Sequence, residues 1–87
     1  MPRVFIPAAL RPIAGGHDAL DVDGSTVSDV VDQLEARFPG FRSGVCQGER
    51  LRPGLAVTID GRIAPLGLRQ AVPPRAEIHF LPALGGG

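Results

Sequence analysis

Strand-like alternation of apolar and polar positions appears five times along these 87 residues, and a helical period appears once. From Arg3 to Ala8, one side holds Val4, Ile6 and Ala8 and the other Arg3, Phe5 and Pro7, which predicts a strand with one core face. After Leu10, the run Arg11, Pro12, Ile13, Ala14, Gly15, Gly16 turns the chain. His17 to Val22 then alternates again with Leu20 and Val22 in phase, so the opening is predicted to be a β-hairpin. Asp23, Gly24 and Ser25 punctuate before Thr26, which can cap a helix with Asp29 at the third position, a capping-box pair with the shorter acid. Val27, Val30, Val31, Leu34 and Phe38 recur at spacings of three and four. Ser28, Asp29, Asp32, Gln33, Glu35 and Arg37 fill the solvated face, and Pro39 with Gly40 stops the helix.

Phe41 to Gly54 shows no sustained period and is predicted to be a loop with one irregular turn at most. Leu55, Val57 and Ile59 then alternate with Ala56, Thr58 and Asp60. Asp60-Gly61 is a two-residue hairpin signal into a short strand from Arg62 to Ala64. Pro65 to Pro74 is a connection with a helical turn near Leu66 to Gln70, because Pro73 and Pro74 forbid regular structure. Ala76 to Leu81 forms the last strand, with Ile78 and Phe80 on one face and Glu77, His79 and Leu81 on the other. The predicted core is Leu20, Val22, Val27, Val30, Val31, Leu34, Val57, Ile59, Ile78 and Phe80. The order strand, strand, helix, strand, short strand, strand is that of an α+β, β-grasp (ubiquitin-like) domain: a mixed sheet of four to five strands with one main helix on one face. In that arrangement the first and last strands pair in parallel at the sheet centre. The domain is read as residues 1–82, followed by a Gly-rich tail, 83–87.

Composition narrows the function. A chain of this length buries roughly 60% of its unfolded surface, enough for one core but for no large internal active site. A formal net charge of zero gives no electrostatic footprint for nucleic acid or an anionic membrane. No apolar run approaches the roughly 20 residues that cross a bilayer. One cysteine excludes an internal disulfide, and the N-terminus lacks a secretory pattern, so a cytoplasmic location is expected. All nine basic residues are Arg. That follows either from a GC-rich genome or from selection against internal amines that would attack an activated acyl group.

The chain closes on Ala83, Leu84, Gly85, Gly86 and Gly87. Three glycines add nothing to a core and cost more entropy to order than any other residues. Fully extended, five residues would carry a terminal carboxylate roughly 16 to 18 Å beyond the last strand, far enough to enter a partner's active site. A frayed end or an expression scar is the alternative.

The run Ile78, His79, Phe80, Leu81, Pro82, Ala83, Leu84, Gly85, Gly86 resembles the ending of the MoaD/ThiS family of ubiquitin-like sulfur carriers. The resemblance extends over the opening strand, the turn from Leu10 to Gly16, the helix entry at Ser25, Thr26 and Val27, and the Asp60-Gly61 turn. Among subfamilies, the Arg11, Pro12, Gly15, Gly16 turn with Leu81, Pro82, Ala83 is most similar to CysO-type carriers, which implies a link to cysteine biosynthesis. Gly87 departs from the usual Gly-Gly ending; it either extends the tail or is trimmed. The resemblance implies a carrier and not an enzyme, with no bound cofactor. Its site is the carboxyl group of Gly87, with Gly86, Gly85 and Leu84 behind it. An E1-like (MoeB/ThiF-type) adenylyltransferase would use ATP to activate that carboxylate, and a sulfur-accepting synthase would take the sulfur from the resulting thiocarboxylate. The rival reading is a ubiquitin-like interaction module or conjugated modifier without sulfur transfer.

A carrier needs a docking face, and Phe5, Leu81 and Leu84 are the candidates, since alternation points Phe5 and Leu81 away from Val4, Ile6, Ile78 and Phe80. Scattered surface hydrophobics would look the same. Arg3, Arg62 and Arg69 either steer an acidic partner or are solvated surface. Cys46 is either a thiol nucleophile or a small buried residue, and His17 and His79 have no zinc-like spacing.

Overall fold

The computed structural model describes residues 1–82; the predicted tail, Ala83 to Gly87, lies outside the described residues. Seven strands and two α-helices follow in order: β1 (Arg3–Phe5), β2 (Ala19–Asp21), α1 (Val27–Arg37), α2 (Phe41–Val45), β3 (Cys46–Gln47), β4 (Arg50–Leu51), β5 (Leu55–Ile59), β6 (Arg62–Ile63) and β7 (Glu77–Pro82). The main sheet has five strands in the order β2-β1-β7-β5-β6. At its centre β1 and β7 run parallel, with Val4 opposite Ile78 and Phe5 opposite His79, while β5 pairs antiparallel with β7 from Ile59↔Ile78 to Leu55↔Pro82. This is the β-grasp arrangement.

Local chemistry sets the main elements as expected. Thr26 caps α1 by accepting a hydrogen bond from the Asp29 N–H at 3.1 Å, and the Asp29 carboxylate accepts from the Thr26 N–H at 3.2 Å, a closed capping box. Val27, Val30, Val31 and Leu34 are fully buried, in one cluster with Val4, Ile6, Val57, Ile78 and Phe80 of the sheet. Asp60 (φ 52) and Gly61 (φ 85) are both left-handed, as a two-residue hairpin turn matching the sheet twist requires. A bridge between Thr26 and Ala71, with Val27 N–H donating to Gln70 O and Val72 N–H to Ser25 O, ties the helix start to the segment leading into β7.

Four expectations change. β1 ends at Phe5 instead of Ala8: the Ile6 N–H still makes one more antiparallel rung to Asp18 O at 2.8 Å, but Pro7 has no N–H and Ala8–Leu10 forms a 3-10 turn with Ala8 exposed. The predicted strand from His17 to Val22 shortens to Ala19–Asp21. The predicted loop, residues 41–54, is instead a compact layer. It holds α2 and the β3–β4 hairpin, with Phe41, Val45 and Cys46 in the core. Leu20 and Ile59 pack against the core only in part.

The compact layer is anchored by a residue assigned from periodicity to the solvated face of α1. The Glu35 carboxylate accepts from the Gly40 N–H at 3.2 Å and the Arg42 N–H at 2.9 Å, satisfying orphan donors at the start of α2. Phe41 then meets Phe80 edge-to-face at 6.3 Å. Gly44 is needed for contact: a Cβ there would lie 2.5 Å from Leu10 Cδ2.

Candidate functional site

The helix covers one side of the sheet, and the other side is open. Since Val4, Ile78, Val57 and Phe80 face the core, their alternates point outward. The strand registers place these outward residues in one row, Ile63, Thr58, His79, Phe5 and Ala19, crossing all five strands; Ala56 and Leu81 lie in the next row. The Phe5 and His79 rings stack at 4.2 Å with an interplanar angle of 22°. Ile63 is 70% exposed and Leu81 45%. Thus the two candidates chosen from alternation, Phe5 and Leu81, lie in adjacent rows of this outward face, where the polar side chains of Thr58 and His79 stand between Phe5 and Ile63.

Ile63 escaped the sequence reading. The signal was present: a two-residue turn at Asp60-Gly61 fixes Thr58 opposite Ile63, which puts that side chain on the outward face.

The central strand β7 carries the chain toward the predicted tail. Its pairing with β1 stops at Phe5↔His79, while pairing with β5 continues to Pro82. Between the end of β7 and the Pro7–Arg11 turn lies a groove of about 550 Å³, lined mainly by Phe5, Ile6, Ala9, Arg11, His79 and Leu81. Of the predicted site residues, Phe5 and Leu81 therefore converge on the base of the tail. Leu84, Gly85, Gly86 and Gly87 lie outside the described residues.

The remaining candidates separate from this site. Arg3 pairs with Asp21 across the β1–β2 pair, Nε to Oδ1 at 3.1 Å, and lies outside the groove lining. Arg62 and Arg69 are exposed and sit on β6 and the Gly67–Arg69 turn, away from the groove. Cys46 is 4% exposed and core-packed. Burial pushes its thiol above the ordinary value, Asp32 acts in the same direction, and Arg42 and Arg52 oppose it. A protonated, covered thiol is a poor nucleophile. Among the described residues no group of three or more His, Cys, Asp or Glu side chains could hold a metal ion, and no helix is long and apolar enough to cross a membrane.

Comparison with solved structures gives the class. The chain is similar to one in the crystal structure of the Amycolatopsis orientalis BexX/CysO complex, with a TM-score of 0.89, 28% identity and full coverage of both chains. It is also similar to SAMP1 from Haloferax volcanii, with a TM-score of 0.71 and 29% identity over 99% of this chain and 98% of that one. A ubiquitin-like β-grasp protein is thereby defined. The ThiS family model matches residues 4–87, and the chain belongs to the ThiS family. Among curated relatives, the sulfur carrier protein CysO of Mycobacterium tuberculosis is 27% identical over 97% of this chain and 96% of its own length. The chain is accordingly a sulfur carrier and not an enzyme.

Proposed function

We propose that the sulfur is carried as a thiocarboxylate on the C-terminal glycine, Gly87, with Gly86, Gly85 and Leu84 threading the partner's channel. The observation that carries this reading is the family match, which extends through Gly87 and so includes the terminal glycines. A free α-carboxylate has a reference pKa of about 3.3 to 3.7, is ionised at neutral pH and is a poor electrophile. An E1-like, MoeB/ThiF-type adenylyltransferase supplies the activation: a carboxylate oxygen attacks the α-phosphorus of ATP and pyrophosphate leaves. Hydrosulfide then attacks the acyl carbon, AMP leaves and the S–H proton is lost, giving the thiocarboxylate. This chain contributes an unhindered acyl carbon without a neighbouring Cβ, and a rigid base for the tail on a central strand.

The open face built from Phe5, Leu81 and Ile63 is the surface on which partners dock. The similar chain of the BexX/CysO complex assembles with another protein, which supports protein partnering here. The accepting synthase would serve biosynthesis of cysteine, molybdopterin, thiamin or a secondary metabolite, with cysteine favoured by the CysO likeness. An ATP-using partner places the exchange in the cytoplasm.

The second reading, a conjugated modifier without sulfur transfer, is favoured by the likeness to SAMP1, named elsewhere as small archaeal modifier protein 1. Intact-protein mass spectrometry after incubation with ATP, sulfide and a cognate activating enzyme separates the two. Replacement of one terminal oxygen by sulfur supports the carrier chemistry. An activated terminus that yields only amide-linked conjugates overturns it.

A further inference from the structure

The Pro7–Arg11 turn leads into the Arg11, Pro12, Gly15, Gly16 motif and is held by defined contacts. Leu10 packs into the space left by Gly44, Ala14 is fully buried, and the Gly16 N–H donates to Arg11 O at 2.7 Å. These contacts fix the connection from Ile6 to Asp18 as a rigid wall of the groove beside β7. Opposite that wall, β7 from Phe80 to Pro82 has, among the described residues, strand pairing on the β5 side only. The floor and sides are apolar. The polar side chains in the lining are Arg11 and His79, and among the described residues no carboxylate lines the groove. Arg11 meets Asp18 through Nε at 3.4 Å; the Arg11 side chain is 44% exposed and that of Asp18 84%, so that pair is weak and solvent-screened. A guanidinium presents five donors, and one such contact leaves others free for a second carboxylate.

We propose that this groove receives an extended acidic segment of the protein partner, seating one bulky apolar side chain between Ala9 and Leu81 and a carboxylate on Arg11. The inference rests on the carrier reading for the partner's identity. Its argument is charge complementarity and continuity with the open docking face. Extended backbone fits because the β7 edge is unpaired on this side, and the groove volume of about 550 Å³ accommodates large apolar side chains. The Pro7–Arg11 turn would then select which partner reaches the tail.

The test is a heteronuclear NMR titration of the isotopically labelled full chain with two capped peptides, acetyl-Thr-Leu-Thr-Asp-amide and its counterpart ending in Lys. The acidic peptide should shift the amides of Ile6, Ala8, Ala9, Arg11, His79 and Leu81, with a Kd on the order of 1 mM, as befits so few buried atoms. The Lys peptide, and the acidic peptide with Arg11→Gln, should bind about tenfold more weakly or not at all. Ala9→Trp should fill the groove and abolish the response. With the activating enzyme, Arg11→Glu should raise KM at least tenfold and leave kcat nearly unchanged. No response, or equal responses from both peptides and from the Arg11→Gln variant, overturns the proposal. So does movement of the Ile6, Ala9 and Arg11 signals, which are remote in sequence from the cut, when residues 83–87 are deleted from the peptide-free chain, which would make the chain's own tail the occupant. The titration needs no activating enzyme, so its failure is distinguishable from failure to form a thiocarboxylate.

Discussion

Phe5 and Leu81 share a face but not an environment, so their truncations should behave differently. Leu81 is nearly half exposed and Phe5 is half-buried under the His79 ring. Leu81→Ala should leave thermal unfolding almost unchanged, whereas Phe5→Ala should cost about 1 to 2 kcal/mol through the lost stack and area. Both should weaken binding to the activating enzyme, measured by calorimetry against the parent. Binding equal to the parent in both variants would remove the docking role. A second residue-scale expectation concerns Cys46. Its folded thiol value lies above the ordinary 9.0, so its contribution to stability is complete below 9.0 and is lost as pH rises through the folded value. The chain has no Lys and no Tyr, which leaves Cys46 as the only side chain titrating between about pH 8 and pH 12. Urea midpoints should fall from about pH 9 upward in the parent, and this fall should be absent in Cys46→Ala.

Among the elements, α1 was legible because its stripe, cap and stop agree, and one change tests the cap. Thr26→Ala removes the acceptor for the Asp29 N–H and should cost about 1 kcal/mol in chemical denaturation. The layer from Phe41 to Leu51 was illegible for equally definite reasons. Five residues of α2 are too few to show a period, Gly44 reads locally as a breaker, and Glu35 reads as solvated surface. Each has a tertiary explanation: Phe41 and Val45 reach the core, Gly44 makes room for Leu10, and Glu35 caps backbone donors five and seven residues ahead. Glu35→Ala should therefore cost about 1 to 3 kcal/mol, well above the few tenths of a surface change. Phe41→Ala should cost about 3 to 5 kcal/mol, comparable to the 2 to 5 expected for Leu34→Ala or Phe80→Ala. An unchanged melting temperature for Phe41→Ala would return this segment to the status of a loop.

At the scale of the molecule, the carrier reading predicts that fold and tail are separable, and this separation is its strongest test. Deleting Gly86 and Gly87 removes no side chain beyond β7, so melting should be nearly unchanged while activation is abolished. Gly86→Ala keeps length and carboxylate but adds a methyl and restricts the backbone, so activation should slow sharply with little loss of stability. Deleting Gly87 alone asks which glycine is the working terminus. Full activity would assign it to Gly86, and inactivity to Gly87. If the double deletion still accepts sulfur, the thiocarboxylate site is not at this terminus.

The sequence by itself determined the elements whose cause is local. The capping box at Thr26, the i, i+3, i+4 stripe of α1, the Asp60-Gly61 turn and the alternation in β5 and β7 each follow from neighbours a few positions apart. It also contained the Gly-rich ending and its family likeness. Tertiary structure decided how the chain leaves β1: after a last rung from the Ile6 N–H to Asp18 O, it turns at Pro7 into Ala8–Leu10, where Leu10 packs over Gly44. It alone brought Ile63, Thr58, His79 and Phe5 into one row, since that row depends on registers between strands distant in the chain. Likewise, the groove at Arg11 exists because a turn near residue 10 and a strand ending at Pro82 meet only when β1 and β7 pair in parallel. No periodicity within either segment encodes that meeting.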